Sequence, residues 1–195
     1  MPIRENLIPL GYATVTVFLT LRYSYQIVMG EIDPVLTTWL IFFFATSLGL
    51  FTYLKSGREK TAAKNIGNTV DVFFTASVSL VLIWKQGFEL KQGTFEISCF
   101  VLVALILLFY WVSRKAAAAN LAVNALMVLA YTPTFVFLWG AKKNPESFLV
   151  WGVGCIIAAL LCFHSIKKRE WLPVVYTGRG VVLSIIVMLL MLRAG

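Results

Sequence analysis

The sequence predicts an all-α membrane protein: seven transmembrane helices in a 3+1+3 plan, with two parallel three-helix repeats. Three observations predict it. First, the 195 residues are 59% hydrophobic and only 13% charged, with a mean hydropathy of +0.84, whereas soluble domains carry about 25% charged residues. Second, the apolar residues fall into seven segments, at 7–29, 35–54, 66–84, 96–113, 119–140, 147–166 and 174–192. Each is close to the ~20 residues a helix needs to cross the hydrocarbon core. Third, one pattern occurs twice. Tyr131-Thr132-Pro133-Thr134 leads to Trp139-Gly140, then a polar turn with Pro145, then Trp151. Tyr23-Ser24-Tyr25-Gln26 leads to Gly30, then Pro34, then Trp39. The offsets are 110 at Gly30/Gly140, 111 at Pro34/Pro145 and 112 at Trp39/Trp151.

Taken in order, the segments fill the plan. In lipid a backbone must satisfy its own hydrogen bonds, so each segment is read as a helix. No segment shows the ten-residue alternation of a barrel strand. The first follows Met1-Pro2-Ile3-Arg4 with no small-residue cleavage site after it, so it reads as a span and not a signal peptide. Segments 1, 2 and 3 match segments 5, 6 and 7 at the repeat offset. Segment 4 has no counterpart; an odd linker helix is what keeps two three-helix units in the same orientation. The expected units are 1–84, a linker at 85–118, and 119–195. Parallel repeats about an axis along the membrane normal are a known plan for transporters.

The basic residues set the expected orientation. Arg4, Lys55, Arg58, Lys60, Lys64, Arg114, Lys115, Lys167, Lys168 and Arg169 lie on one side by this count. Lys85, Lys91, Lys142, Lys143 and Arg193 lie on the other, ten against five. The positive-inside rule puts the N-terminus in the cytoplasm and the C-terminus outside, in an integral multi-pass protein of the plasma (inner) membrane. The net charge of +8 is therefore a topology signal at segment ends, and nucleic acid is not an expected partner.

Polar residues inside the spans are the candidate site. Asp71, one turn beyond Asn68, is the sharpest, because a carboxylate at the centre of a span costs about 2.5–3.5 kcal/mol on insertion scales. It is read as a substrate or proton site, against a solvated helix cap. Arg179 stands at a similar depth on segment 7, and pairing with Asp71 would offset part of the burial cost of both. Snorkelling of Arg179 to the cytoplasmic headgroups is the competing reading. Arg22 on segment 1 either snorkels or serves an outer gate with Glu31 or Asp33. Asn120 and Asn124 share a helix face, which serves either interhelical hydrogen bonding or a polar cavity. Pro133 removes a backbone bond and kinks segment 5 beside Tyr131, as a hinge or as a static kink.

Several chemistries lack their residues. His164 is the single histidine, too few for a multi-histidine metal site. Cys155 and Cys162 share a face without nearby third and fourth ligands. Segment 7 has no lysine for a retinal Schiff base, and no Walker or nucleophile-elbow motif occurs. No cofactor, metal or catalytic residue is expected, and the chain is not read as an enzyme.

The Tyr131-Thr132-Pro133-Thr134 turn, the polar loop after it and Trp151 resemble the PQ-loop and SWEET-like transporter superfamily. Tyr131 to Thr134 stand where that family has Pro-Gln, a dipeptide neither copy carries. The resemblance implies carriage of a small polar solute between the two units, with tryptophan and asparagine at the site. On this chain those are Trp39 and Trp151, joined by Asn68, Asp71, Asn120, Asn124 and Arg179, with Pro133, Tyr131 and Arg22 at the hinge or gate. The competing class is a non-transporting scaffold or accessory subunit of a larger membrane complex. The expected partners are the solute, the bilayer and, as an option, further copies of the chain.

Overall fold

Apolar runs bounded by glycine and basic residues fold as helices whose ends are closed by the chain itself. The computed structural model describes residues 3–57, 60–87 and 94–194, which are helical with no strand among them. The helices are α1 (Ile3–Met29), α2 (Leu36–Lys55), α3 (Ile66–Gln86), α4 (Thr94–Ser113), α5 (Ala116–Ala130), α6 (Thr132–Gly140), α7 (Phe148–Lys167) and α8 (Trp171–Ala194), with a short 3-10 turn at Ala62–Asn65 before α3. The fifth expected span is thus two helices, α5 and α6, broken at Tyr131. Among the described residues five segments are long and apolar enough to cross a membrane: α2, α3, α5 with α6, α7 and α8. Lys91, Arg58 and the start of the chain at Met1-Pro2 lie outside the described residues.

Gly30 shows how an end is closed. At φ 74° it terminates α1, its N–H bonding Ile27 O at 3.1 Å while Glu31 N–H reaches Gln26 O at 2.9 Å. That is the Schellman pair, and the left-handed residue is why glycine stands there. Arg169 closes α7 in the same way at φ 56°, with Glu170 N–H to Ser165 O at 3.0 Å.

Contacts fix the helix directions. Tyr12 meets Asp71, and Lys85 meets the carbonyl of Ile27; both links run up the sequence together, so α1 and α3 are parallel. Trp39 packs on Phe74 and Gly49 on Asn68, so α2 is antiparallel to α3. Phe42 meets Tyr131 and Gly49 meets Asn120, so α5 and α6 also oppose α2. Gly178 lies against Cys162 and Gly180 against Ala158, which makes α8 antiparallel to α7. The start of α7 meets the C-terminal part of α1, so α8 runs with α1 and α3.

Two groups of helices, α1–α3 and α5–α8, each have their last helix in the middle. α3 packs on both α1 and α2, and α8 packs on both α6 and α7. Between the halves, α2 packs on α5 and α1 on α7, and α4 lies outside against α2 and α5. The buried set includes Thr37, Thr38, Thr46, Thr52, Asn68 and Ser79, while Trp84, Trp111, Leu160 and Leu189 stand outward. A polar interior under an apolar exterior suits lipid as the solvent, because buried polar groups hold helices together there.

Candidate functional site

The six packed segments other than α4 enclose a cavity of about 140 Å³, and its walls are layered. At one level lies Asp71, in the second turn of α3, not at a solvated cap, because α3 starts at Ile66. Its Oδ1 accepts from the Tyr12 hydroxyl at 3.1 Å and its Oδ2 from the Tyr176 hydroxyl at 2.6 Å. Tyr12 comes from α1 and Tyr176 from α8, so the carboxylate joins the two halves. Hydrogen bonds to a charged group are worth about 1.5–3 kcal/mol each, enough to repay much of the burial.

Arg179 lines the same cavity. Its guanidinium carbon lies 4.6 Å from the centre of the Tyr176 ring. The expected Asp71–Arg179 ion pair is not made: the ion pairs among the described residues are Arg22–Glu31 and Lys60–Glu170. Tyr176 stands between the two charges, giving its hydroxyl to one and its ring face to the other. Arg179 does not snorkel away from the protein, because its Nε and Nη1 are buried.

Beyond this polar layer the walls are aromatic. Trp39 meets Tyr23 at 5.2 Å, Phe74 at 5.3 Å and Phe42 at 5.8 Å between ring centres. Phe42 meets Tyr131 at 4.7 Å, and Tyr131 meets Trp151 at 6.0 Å. Such centroid spacings are those of favourable tilted and edge contacts. The belt draws on α1, α2, α3, the α5–α6 break and α7.

Loop residues bridge the cavity at each end, Asp33 with Pro145 at one and Lys60 with Glu170 at the other. At the aromatic end Glu146 is buried, 7% exposed. It accepts from the Tyr23 hydroxyl at 2.6 Å and the Trp151 indole N–H at 3.0 Å. Asn144 Oδ1 takes the Glu146 backbone N–H at 3.0 Å and so sets the turn. Burial raises the Glu146 carboxyl above the ordinary glutamate value, while its Tyr23 and Trp151 bonds pull the other way. Asp33 N–H bonds Pro145 O at 3.3 Å, so the two proline loops touch. At the opposite end Lys60 pairs with Glu170 and sits 5.5 Å from the Tyr53 ring centre.

The remaining expected residues divide. Trp39, Trp151 and Tyr131 line the cavity with Asp71 and Arg179. The asparagines do not. Asn120 gives its amide to Gly49 O at 2.7 Å and Thr52 Oγ1 at 3.2 Å, and Asn124 bonds Asn120 O at 3.0 Å. Asn68, fully buried, is satisfied once its amide is turned, donating to Thr46 O at 3.0 Å and accepting from Leu50 N–H at 2.7 Å. Asn120 and Asn68 join α5 and α3 to α2, since an unpaired amide between helices is costly, whereas Asn124 bonds within α5 and its Oδ1 meets no partner among the described residues. Arg22 is also outside the cavity, on the exposed end with Glu31 at 3.3 Å. Pro133 sits at the start of α6, beyond the break and off the cavity wall.

Sequence reasoning missed Tyr12, Tyr176, Tyr23 and Glu146. A signal existed for three of them: tyrosine hydroxyls inside apolar runs need partners, and few in-span acceptors are present. Glu146 had only its place beside Pro145. No family model matches this chain, and neither a characterised protein nor a solved structure does.

Proposed function

We propose that the chain is a small-solute transporter or facilitator of the plasma (inner) membrane, with its solute site in this cavity, between units 1–84 and 119–195. One observation carries the reading: the cavity lies between the two halves, and loop residues of those halves bridge both of its ends. Lys60 and Glu170 lie 110 residues apart, the repeat offset. A passage gated by relative motion of two units needs links at each end that break in turn.

The 3+1+3 plan with a parallel repeat belongs to this proposal. The order with α3 in the middle of one half and α8 in the middle of the other supports it, as do the parallel directions of α1, α3 and α8. The resemblance to PQ-loop and SWEET-like transporters belongs here as well. A scaffold or accessory subunit has no use for a lined cavity with a charged residue from each half. In this proposal the N-terminus is cytoplasmic. A cysteine at Ser56, in the loop after α2, tests that: an impermeant thiol reagent should leave it unlabelled in intact cells, and labelling would reverse the orientation.

The functional test is flux. Purified protein in proteoliposomes is assayed for uptake of a panel of small polar solutes, before and after cross-linking Lys60→Cys to Glu170→Cys with a short bis-thiol reagent. Transport predicts solute-specific uptake that the cross-link stops. Liposomes that take up no panel member faster than empty ones would favour the accessory-subunit alternative.

A further inference from the structure

We infer that the cavity takes a small organic anion, its carboxylate on Arg179 and its apolar body against the aromatic belt. This deepens the solute site proposed above and rests on it. Arg179 carries buried N–H donors, at Nε and Nη1, that the described residues leave without an acceptor. A guanidinium cannot shed its proton, and buried charges in proteins are paired.

The carboxylates of the cavity are engaged elsewhere, and neither makes an ion pair with Arg179. Both oxygens of Asp71 accept tyrosine hydroxyls. Glu146, at the far end, holds Tyr23 and Trp151. The ring of Tyr176 offers Arg179 a face, which answers charge but gives no acceptor to the N–H groups. Planar, forked donors of this kind fit a carboxylate.

The other walls argue against the two competing solute classes. A polyhydroxylated neutral solute needs many free polar partners. Thr46 and Thr75 are bonded to each other at 3.2 Å, Thr75 also to Asp71 O at 2.8 Å, and Thr177 to Pro173 O at 2.7 Å. A cation would meet Arg179 with the cavity's carboxylate already engaged. The rings of Trp39, Phe42, Tyr131 and Trp151 suit an apolar or aromatic body instead. The cavity, about 140 Å³, compares with the ~150 Å³ engineered cavity that admits benzene.

Benzoate, benzamide and benzylamine share one ring and differ in charge. Each is titrated calorimetrically into the full chain in lipid nanodiscs. The expected result is benzoate binding at least tenfold tighter than the other two. Arg179→Gln should erase that preference and Arg179→Lys keep part of it. The native-chain comparison stands even where a variant does not fold. Equal binding of benzamide, tighter binding of benzylamine, no binding by any of the three, or an undiminished preference in Arg179→Gln overturns the inference. Benzoate binding with no flux in proteoliposomes supports the anion site and removes transport; flux of neutral solutes without a benzoate preference does the reverse.

Discussion

At the scale of the residue, two acidic groups organise the interior, and each is held by tyrosine. Asp71 is hydrogen-bonded to Tyr176, whose ring also faces Arg179, and it makes no direct ion pair with Arg179. Two double-mutant cycles separate these links. Asp71→Asn with Tyr176→Phe should show a coupling of about 1.5–3 kcal/mol, the worth of a charged hydrogen bond. Asp71→Asn with Arg179→Gln should show a smaller coupling, since the two share Tyr176 but make no direct ion pair. Denaturation in detergent measures both, and a larger second coupling would restore the direct pair. Glu146 makes a pH prediction. Burial raises its carboxyl above the ordinary 4.5, against the pull of Tyr23, Trp151 and the Ser147 backbone. The native state then binds the proton more tightly than the unfolded chain. Its stabilising contribution is complete below the ordinary value and is lost as pH rises through the raised one. The Tm difference between native protein and Glu146→Gln should therefore fall as pH rises from about 4 to about 8. A difference that grows over that range contradicts the assignment.

At the scale of the element, the α2–α3–α5 contact and the α5–α6 break are the parts that the sequence left half-read. Three asparagines within apolar segments were evident as unusual, and both roles open to them were polar. Which role holds depends on Gly49, whose missing side chain lets α3 and α5 approach α2. A Cβ there would stand 3.1 Å from Asn68 Nδ2 and 3.4 Å from Val123 Cγ1, while its carbonyl receives Asn120. Gly49→Ala should cost about 1–3 kcal/mol as overpacking, read as a lowered Tm in nanodiscs; an unchanged Tm would show that the contact gives way freely. Pro133 was legible as a kink, because its missing N–H and its ring disfavour a continuous helix. The break falls two residues earlier, at Tyr131, where the ring faces Phe42 and Trp151. Pro133→Ala should change stability little, because Pro133 stands in the first turn of α6, where the missing N–H breaks no intrahelical bond. It should also slow flux by straightening the segment that carries Tyr131. Unaltered flux would make the kink a static one.

At the scale of the whole molecule, the spans were the most legible feature, because hydrophobic length alone sets them. Five of the seven expected spans coincide with segments that are, among the described residues, long and apolar enough to cross a membrane, one of them broken at Tyr131, and the 30–35 and 141–147 turns do meet. The site was legible only as a set of costly residues. Periodicity does not reveal that Tyr12 and Tyr176, on different halves, converge on one carboxylate, nor that Lys60 finds Glu170 across the opposite end. Those pairings arise from packing between units. In the proposed transporter this cavity opens to both faces of the membrane in turn. Ser184 lines it and is buried. The most direct measurement is labelling of Ser184→Cys, in a chain with Cys99, Cys155 and Cys162 replaced, by impermeant thiol reagents in right-side-out and in inverted vesicles. A two-sided passage predicts labelling from either face, and loss of it from the 60–170 side once Lys60→Cys and Glu170→Cys are cross-linked. Labelling from one face only, or from neither, would contradict the account.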